Sequence, residues 1–202
     1  MRNLVNKEKL KAISKRHTPE SPFLVDLFNE FSHSNIIYCV LRNYEGLPYN
    51  LRSSDLDILV SPEHSDITLE SIRKIARKHH AYLCIFKKNY DLYAVYVFGK
   101  TEEEFHWGVP IDLAMNLHWK GLDFYNIEHV FLNTFVQRGI NVASSYDAYI
   151  ITLLKEMLHN GRLSEKYKKK VSGIFKLRPA IVVKIFDRVI NATAKSTASL
   201  FK

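Results

Sequence analysis

Asp55 and Asp57 stand two residues apart at the head of an apolar run, Ser53-Ser54-Asp55-Leu56-Asp57-Ile58-Leu59-Val60. On an extended chain side chains alternate between faces, so both carboxylates fall on one face and Leu56, Ile58 and Val60 on the other. Two carboxylates so placed repel each other unless a cation lies between them, and oxygen donors of this kind suit Mg²⁺ or Mn²⁺. Asp-x-Asp alone is common, occurring by chance in about one chain in two of this length. A third acid sharpens the signal. Asp112 lies inside Val109-Pro110-Ile111-Asp112-Leu113, where Val109, Ile111 and Leu113 share one face and Asp112 points to the other. An acid in mid-strand is disfavoured. A metal would compensate for it; solvent, Arg42 or Arg52 are the alternatives.

The elements that must position these acids follow from the pattern along the chain. Residues 4–16 have helix-compatible composition. Ser21-Pro22 reads as a helix start, with proline in the first turn and the helix running to about Phe31. Ile36 to Leu41 is a short run of β-formers and predicts a buried strand. A loop over 42–53, with Gly46, Pro48 and Asn50, leads into a strand over Asp55–Val60. Residues 66–80 carry a helical pattern. Tyr82–Phe86 and Leu92–Phe98 read as paired strands joined by a turn at Lys88–Asp91, and Glu102–Glu104 as a connection to a strand over Val109–Leu117. From Ser145 the period becomes helical, predicting helices over 146–160, 164–176 and 180–194. The expected fold is α+β: a mixed sheet flanked by helices, with a C-terminal helical region. The expected division is N-terminal helices over 1–34, a core over 35–143 and a helical region over 144–202.

The 202 residues are 47% hydrophobic and 12% aromatic, which excludes a disordered or low-complexity chain. Net charge is +8 but unevenly spread. Residues 1–16 carry six Lys and Arg against one acid, residues 17–159 twelve against eighteen, and residues 160–202 eleven against two. Basic ends attract nucleic acid, anionic lipid or phosphate-bearing substrates, or form solvated helix faces. Met1–Arg16 lacks the apolar core of a secretory signal, and no segment approaches the roughly 20 apolar residues that span a bilayer. A cytoplasmic protein with no transmembrane segment is expected. Cys39 and Cys84 each sit in an apolar run and are expected to be buried, reduced thiols.

A strand, a loop, a Ser-Asp-φ-Asp-φ-φ-φ strand and a later strand with a single Asp resemble the polymerase-β nucleotidyltransferase superfamily. More narrowly, Val40 to Pro48 together with Ser54 to Val60 resembles uncharacterised bacterial nucleotidyltransferase-like proteins, some encoded among surface-polysaccharide genes. Ile111-Asp112-Leu113, Leu117-His118-Trp119-Lys120-Gly121 and Leu163-Ser164-Glu165-Lys166-Tyr167 extend the likeness, which covers residues 36–121 well and the rest loosely. The resemblance implies a polymerase-β-like sheet. It also implies that Asp55, Asp57 and Asp112 are catalytic and hold two Mg²⁺ or Mn²⁺ ions with a bound nucleoside triphosphate. Asp112 would orient and deprotonate an acceptor hydroxyl belonging to a small molecule, a glycan intermediate or a protein. Where the superfamily usually carries Gly-Ser or Gly-Gly after the first strand, this chain has Arg42-Asn43. Arg42 can grip phosphate through its guanidinium, with Asn43, Ser53 and Ser54 as further nucleotide contacts. The same departure fits a second expectation: an inactive module that keeps the fold and engages a partner or nucleic acid through its basic helices.

Trp119 can stack on a base or sugar and Lys120 can meet phosphate; a core aromatic beside a surface lysine is the plainer account. Lys155 and His159 share a helix face, with Arg162 beyond, and either line a nucleotide pocket or face solvent. The run Lys166, Lys168, Lys169 and Lys170 reads as a solvated face or an anion-binding one. His118 lacks a second zinc ligand at useful spacing. His79-His80 reads as complementation of a helix C-terminus.

Overall fold

The structure is a computed structural model that describes residues 18–52, 55–100 and 105–160. The expected helices over 4–16, 164–176 and 180–194, the Glu102–Glu104 connection, Ser53, Ser54, Arg162 and the basic run 166–170 lie outside the described residues.

The described residues fall into two compact units, one within residues 18–116 and 134–142, the other within 117–133 and 143–160. In the first, helix α1 (Ser21–His33) precedes β1 (Tyr38–Val40), a 3-10 turn at Tyr44–Gly46 and β2 (Leu56–Val60). Helix α2 (Ser65–Lys78), β3 (Tyr82–Asn89), β4 (Leu92–Lys100) and β5 (Phe105–Ala114) follow. A later hairpin, β8 (Phe135–Gln137) and β9 (Ile140–Val142), completes a seven-stranded sheet ordered β3-β4-β5-β2-β1-β9-β8. Pairing is mixed. Strands β2 and β5 run parallel, as do β1 and β9, and the remaining neighbours are antiparallel. The expected α+β architecture is therefore present.

Alternation decides which face takes the helices. Leu56, Ile58 and Val60 of β2, Val95 and Val97 of β4, and Val109, Ile111 and Leu113 of β5 join one apolar core. Phe23, Leu24, Leu27, Phe28 and Phe31 of α1 enter it at helical spacing, with Leu69, Ile72 and Ile75 of α2. At the helix surface, Lys74 binds Glu30 at 2.7 Å, and Asp26 accepts from Lys78 at 2.9 Å and His79 at 2.7 Å. The Lys78 hydrogen bond, ahead of an opposing cost of burial, lowers the Asp26 pKa. His79 thus serves a specific carboxylate beyond its place at the helix end.

Several boundaries differ from expectation. Strand β5 spans Phe105–Ala114 where Val109–Leu117 was expected. Strand β3 runs to Asn89 and the turn falls at Tyr90–Asp91, so Lys88 belongs to a strand. Cys39 is buried as expected, whereas Cys84 is exposed, because β3 is the sheet edge and its even-numbered side chains face outward.

The second unit contains β6 (His118–Trp119) paired with β7 (Leu122–Asp123), helix α3 (Ile127–Leu132) and helix α4 (Ser145–Asn160). Helix α4 opens on a Ser144 side-chain cap: the Asp147 N–H donates to Ser144 Oγ at 3.0 Å while the Ser144 hydroxyl donates to the Asp147 carboxylate at 2.6 Å. The buried Asp147 also accepts from Tyr125 Oη at 2.6 Å. Among the described residues, no helix is long and apolar enough to cross a membrane.

Candidate active site

The site grows from the register of β2 against β5. Asp57 is the direct partner of Asp112 across this parallel pair, with Leu56 opposite Ile111 and Ile58 opposite Leu113. Because the flanking apolar residues are committed to the helix-packed core, both aspartates must point to the opposite face. Neighbouring strands lie about 4.8 Å apart. Two carboxylates at that spacing need positive charge.

The chain supplies it from both sides. The Leu41 N–H donates to the Asp57 carbonyl at 2.9 Å, which extends the β1–β2 ladder and brings Arg42 alongside. Its guanidinium grips Asp57 bidentately, Nε to Oδ2 at 2.5 Å and Nη2 to Oδ1 at 3.0 Å. Asp57 is only 5% exposed, so this charge pair is largely withdrawn from water. On the other side, Lys88 Nζ donates to Asp112 Oδ1 at 2.8 Å. That hydrogen bond, ahead of an opposing cost of burial, raises the Lys88 pKa, and Asp112, Tyr96 and Asp55 add electrostatic contributions in the same direction. Asp55 lies exposed, one residue ahead of β2.

The loop after β1 is held in place. Asn43 takes the left-handed conformation at φ 58°, which asparagine tolerates better than most residues. Arg138 Nη1 donates to the carbonyls of Glu45 at 2.8 Å and Leu47 at 3.0 Å, and Gln137 Nε2 to that of Tyr44 at 3.1 Å. The β8–β9 hairpin that carries these clamps turns on Arg138 and Gly139, both at positive φ, a two-residue connection that suits the strand twist.

Asp57, Asp112, Arg42 and Lys88 thus meet on one sheet face. Trp119, Lys120 and Lys155 belong to the second unit, where Lys120 Nζ sits 4.7 Å from the Trp119 ring centroid, a cation–π contact. Lys88 is the residue that sequence reading missed: assigning it to a turn hid its alternation with Phe86 on the face that carries Asp112.

The donor chemistry of Asp57 and Asp112 fits a hard divalent cation. As folded, those oxygens hold Arg42 and Lys88, and among the described residues no three His, Cys, Asp or Glu side chains are grouped as a metal site. A metal here would compete with the two basic side chains for the same carboxylates.

No family model matches the chain, and no curated protein does. Among solved structures, it is similar to the solution structure of the antibiotic-resistance factor ANT(2'')-Ia, with a TM-score of 0.47 and 8% identity over 90% of this chain and 94% of that one. A likeness of that degree carries no argument, and the functional reading rests on the chain's own residues.

Proposed function

We propose that the chain is a metal-dependent nucleotidyltransferase, moving a nucleoside monophosphate from a nucleoside triphosphate to a hydroxyl acceptor. The observation that carries this reading is the in-register pairing of Asp57 and Asp112 on adjacent parallel strands, each within hydrogen-bonding distance of a basic side chain. Asp57 and Asp112, together with Asp55, would hold two Mg²⁺ or Mn²⁺ ions, which when bound polarise phosphate oxygens and neutralise developing charge.

The remaining work falls to the chain. The Arg42 guanidinium matches a pair of phosphate oxygens, and the clamped loop from Asn43 onward holds the guanidinium's backbone in place. Ser53 and Ser54 would add hydroxyl donors. An Asp112 carboxylate oxygen accepts the proton of the acceptor hydroxyl while the hydroxyl's own oxygen bonds to the α-phosphorus. The bond from the α-phosphorus to its bridging oxygen breaks, and pyrophosphate leaves with the electron pair. Lys88, freed from Asp112, is available to the phosphate charge.

A second reading, a binding module without turnover, is favoured by the same ion pairs, since both carboxylates are already neutralised. Calorimetric titration of the four nucleoside triphosphates separates the two. The enzyme reading expects binding that requires Mg²⁺ and is lost in Asp57→Asn/Asp112→Asn. Binding of equal strength with and without Mg²⁺ would overturn it in favour of the module.

A further inference from the structure

The sheet face that carries the acids continues into a surface no part of the proposed reaction has used. Register places Asp112 opposite Ala94, and Ala94 opposite Phe86. Two residues along, Pro110 pairs with Tyr96; two further, Gly108 pairs with Phe98. All these positions share the face of Asp112. The Tyr96 and Phe98 rings lie nearly parallel, 7° between planes and 6.3 Å between centroids, and Phe86 stands edge-on to Tyr96 at 6.2 Å and 71°. Phe86 is 58% exposed. Tyr96 and Phe98 are half-buried, and on the neighbouring strand β5 Gly108 leaves room beside Phe98, where an added Cβ would come within 3.4 Å of the ring.

We propose that Tyr96, Phe98 and Phe86 form a ring-binding subsite for the acceptor, adjoining Asp112. The proposal rests on the nucleotidyl-transfer reading and names the acceptor's chemistry: a hydroxyl-bearing ring with an apolar face that can lie on an aromatic one. Three observations carry it. First, the platform lies on the far side of Asp112 from Arg42, so a phosphate gripped by Arg42 and a ring on Tyr96 would reach the carboxylate from opposite sides. Second, adjacent rows along the strands are about 6.7 Å apart, roughly one ring with its hydroxyl, so a ring stacked on Tyr96 presents its rim to Asp112. Third, aromatic faces bind such rings without demanding a particular hydrogen-bond pattern, while the hydroxyls remain for Asp112 and Lys88 to meet. A sugar ring and a nucleoside both have this chemistry.

Saturation-transfer NMR on the full chain tests the proposal with three separate probes: methyl α-glucopyranoside, uridine and phenol. Transfer to ring protons of the glycoside or of uridine supports it and distinguishes the two sources. That transfer falls about two- to ten-fold in Phe98→Ala and Tyr96→Ala and is restored in Tyr96→Phe, which keeps the ring and removes the hydroxyl. Transfer to phenol alone would mark a merely apolar patch and overturn the proposal. So would transfer unchanged in both alanine variants, or absent from all three probes. Mg²⁺-dependent triphosphate binding is measured on the same samples. If that binding persists while ring transfer is absent, the subsite fails and the nucleotide reading stands; if wild type binds rings but no triphosphate, the nucleotide reading fails.

Discussion

Asp57 and Asp112 face each other in register across two parallel strands, and each is neutralised by a basic side chain, Arg42 from the loop after β1 and Lys88 from β3, two strands away from Asp112. The two pairs differ in kind. Arg42–Asp57 is bidentate and mostly buried, whereas Lys88–Asp112 is a single contact with side chains 43% and 27% exposed. Exposed pairs are worth about 0–1 kcal/mol, so Lys88 is the cation that yields first to a competitor.

Replacing Lys88 with methionine should therefore improve metal binding. With the competing ammonium gone, Mn²⁺ affinity rises by up to about five-fold, the equivalent of an exposed pair of roughly 1 kcal/mol. Isothermal titration of wild type and Lys88→Met with MnCl₂ checks this. Unchanged or weaker affinity in the variant would show that Lys88 does not guard the carboxylate.

The core side of the sheet has its own tight point. A Cβ added at Gly99 would fall within the indole of its register partner Trp107, which packs on Phe23 with ring centroids 5.4 Å apart. Gly99→Ala should cost about 1–3 kcal/mol through overpacking. Urea denaturation reads the loss, and it shrinks in a Trp107→Leu background. An additive double variant would contradict the assigned clash.

Much of this arrangement was legible in the sequence, and the exceptions have physical causes. Alternation was enough to predict that Asp57 and Asp112 each point away from the apolar side of their own strand, because apolar neighbours at every second position bind each strand to one orientation. Alternation along a single strand says nothing about which strands are neighbours, so the in-register pairing was not readable. The hairpins at Trp119–Leu122 and Gln137–Ile140 turn on Lys120-Gly121 and Arg138-Gly139, each pair at positive φ. Lysine and arginine rarely lead such turns, and the flanking strands are two or three residues long, too short to show a period. Lys88 escaped notice for a related reason: Asn89, Tyr90 and Asp91 look like a turn, but the strand runs on to Asn89, three residues past the apolar run that ends at Phe86.

Tyr38 offers a pH test of the joint between β1 and β9. Its hydroxyl accepts from the Asn141 N–H at 3.4 Å. Burial pushes its pKa up to about 12, against a small opposing effect of that hydrogen bond. A raised folded-state value means the stabilisation is whole below pH 10 and is lost as pH climbs from 10 toward 12, because the unfolded phenol ionises first. Two units correspond to about 2–3 kcal/mol. Urea midpoints measured at pH 9 and pH 11.5 should fall further for wild type than for Tyr38→Phe. Equal falls would contradict the assignment.

The central claim, that Asp57 and Asp112 jointly hold the metal that accompanies a nucleotide, is tested most directly by electron paramagnetic resonance of Mn²⁺. Titrating Mn²⁺ with each nucleoside triphosphate into wild type, Asp57→Asn and Asp112→Asn counts the bound ions. The account predicts protein-bound Mn²⁺ in wild type with at least one triphosphate, and its loss in either asparagine variant. Bound Mn²⁺ that survives both substitutions, or a wild type that binds none with any triphosphate, would contradict it.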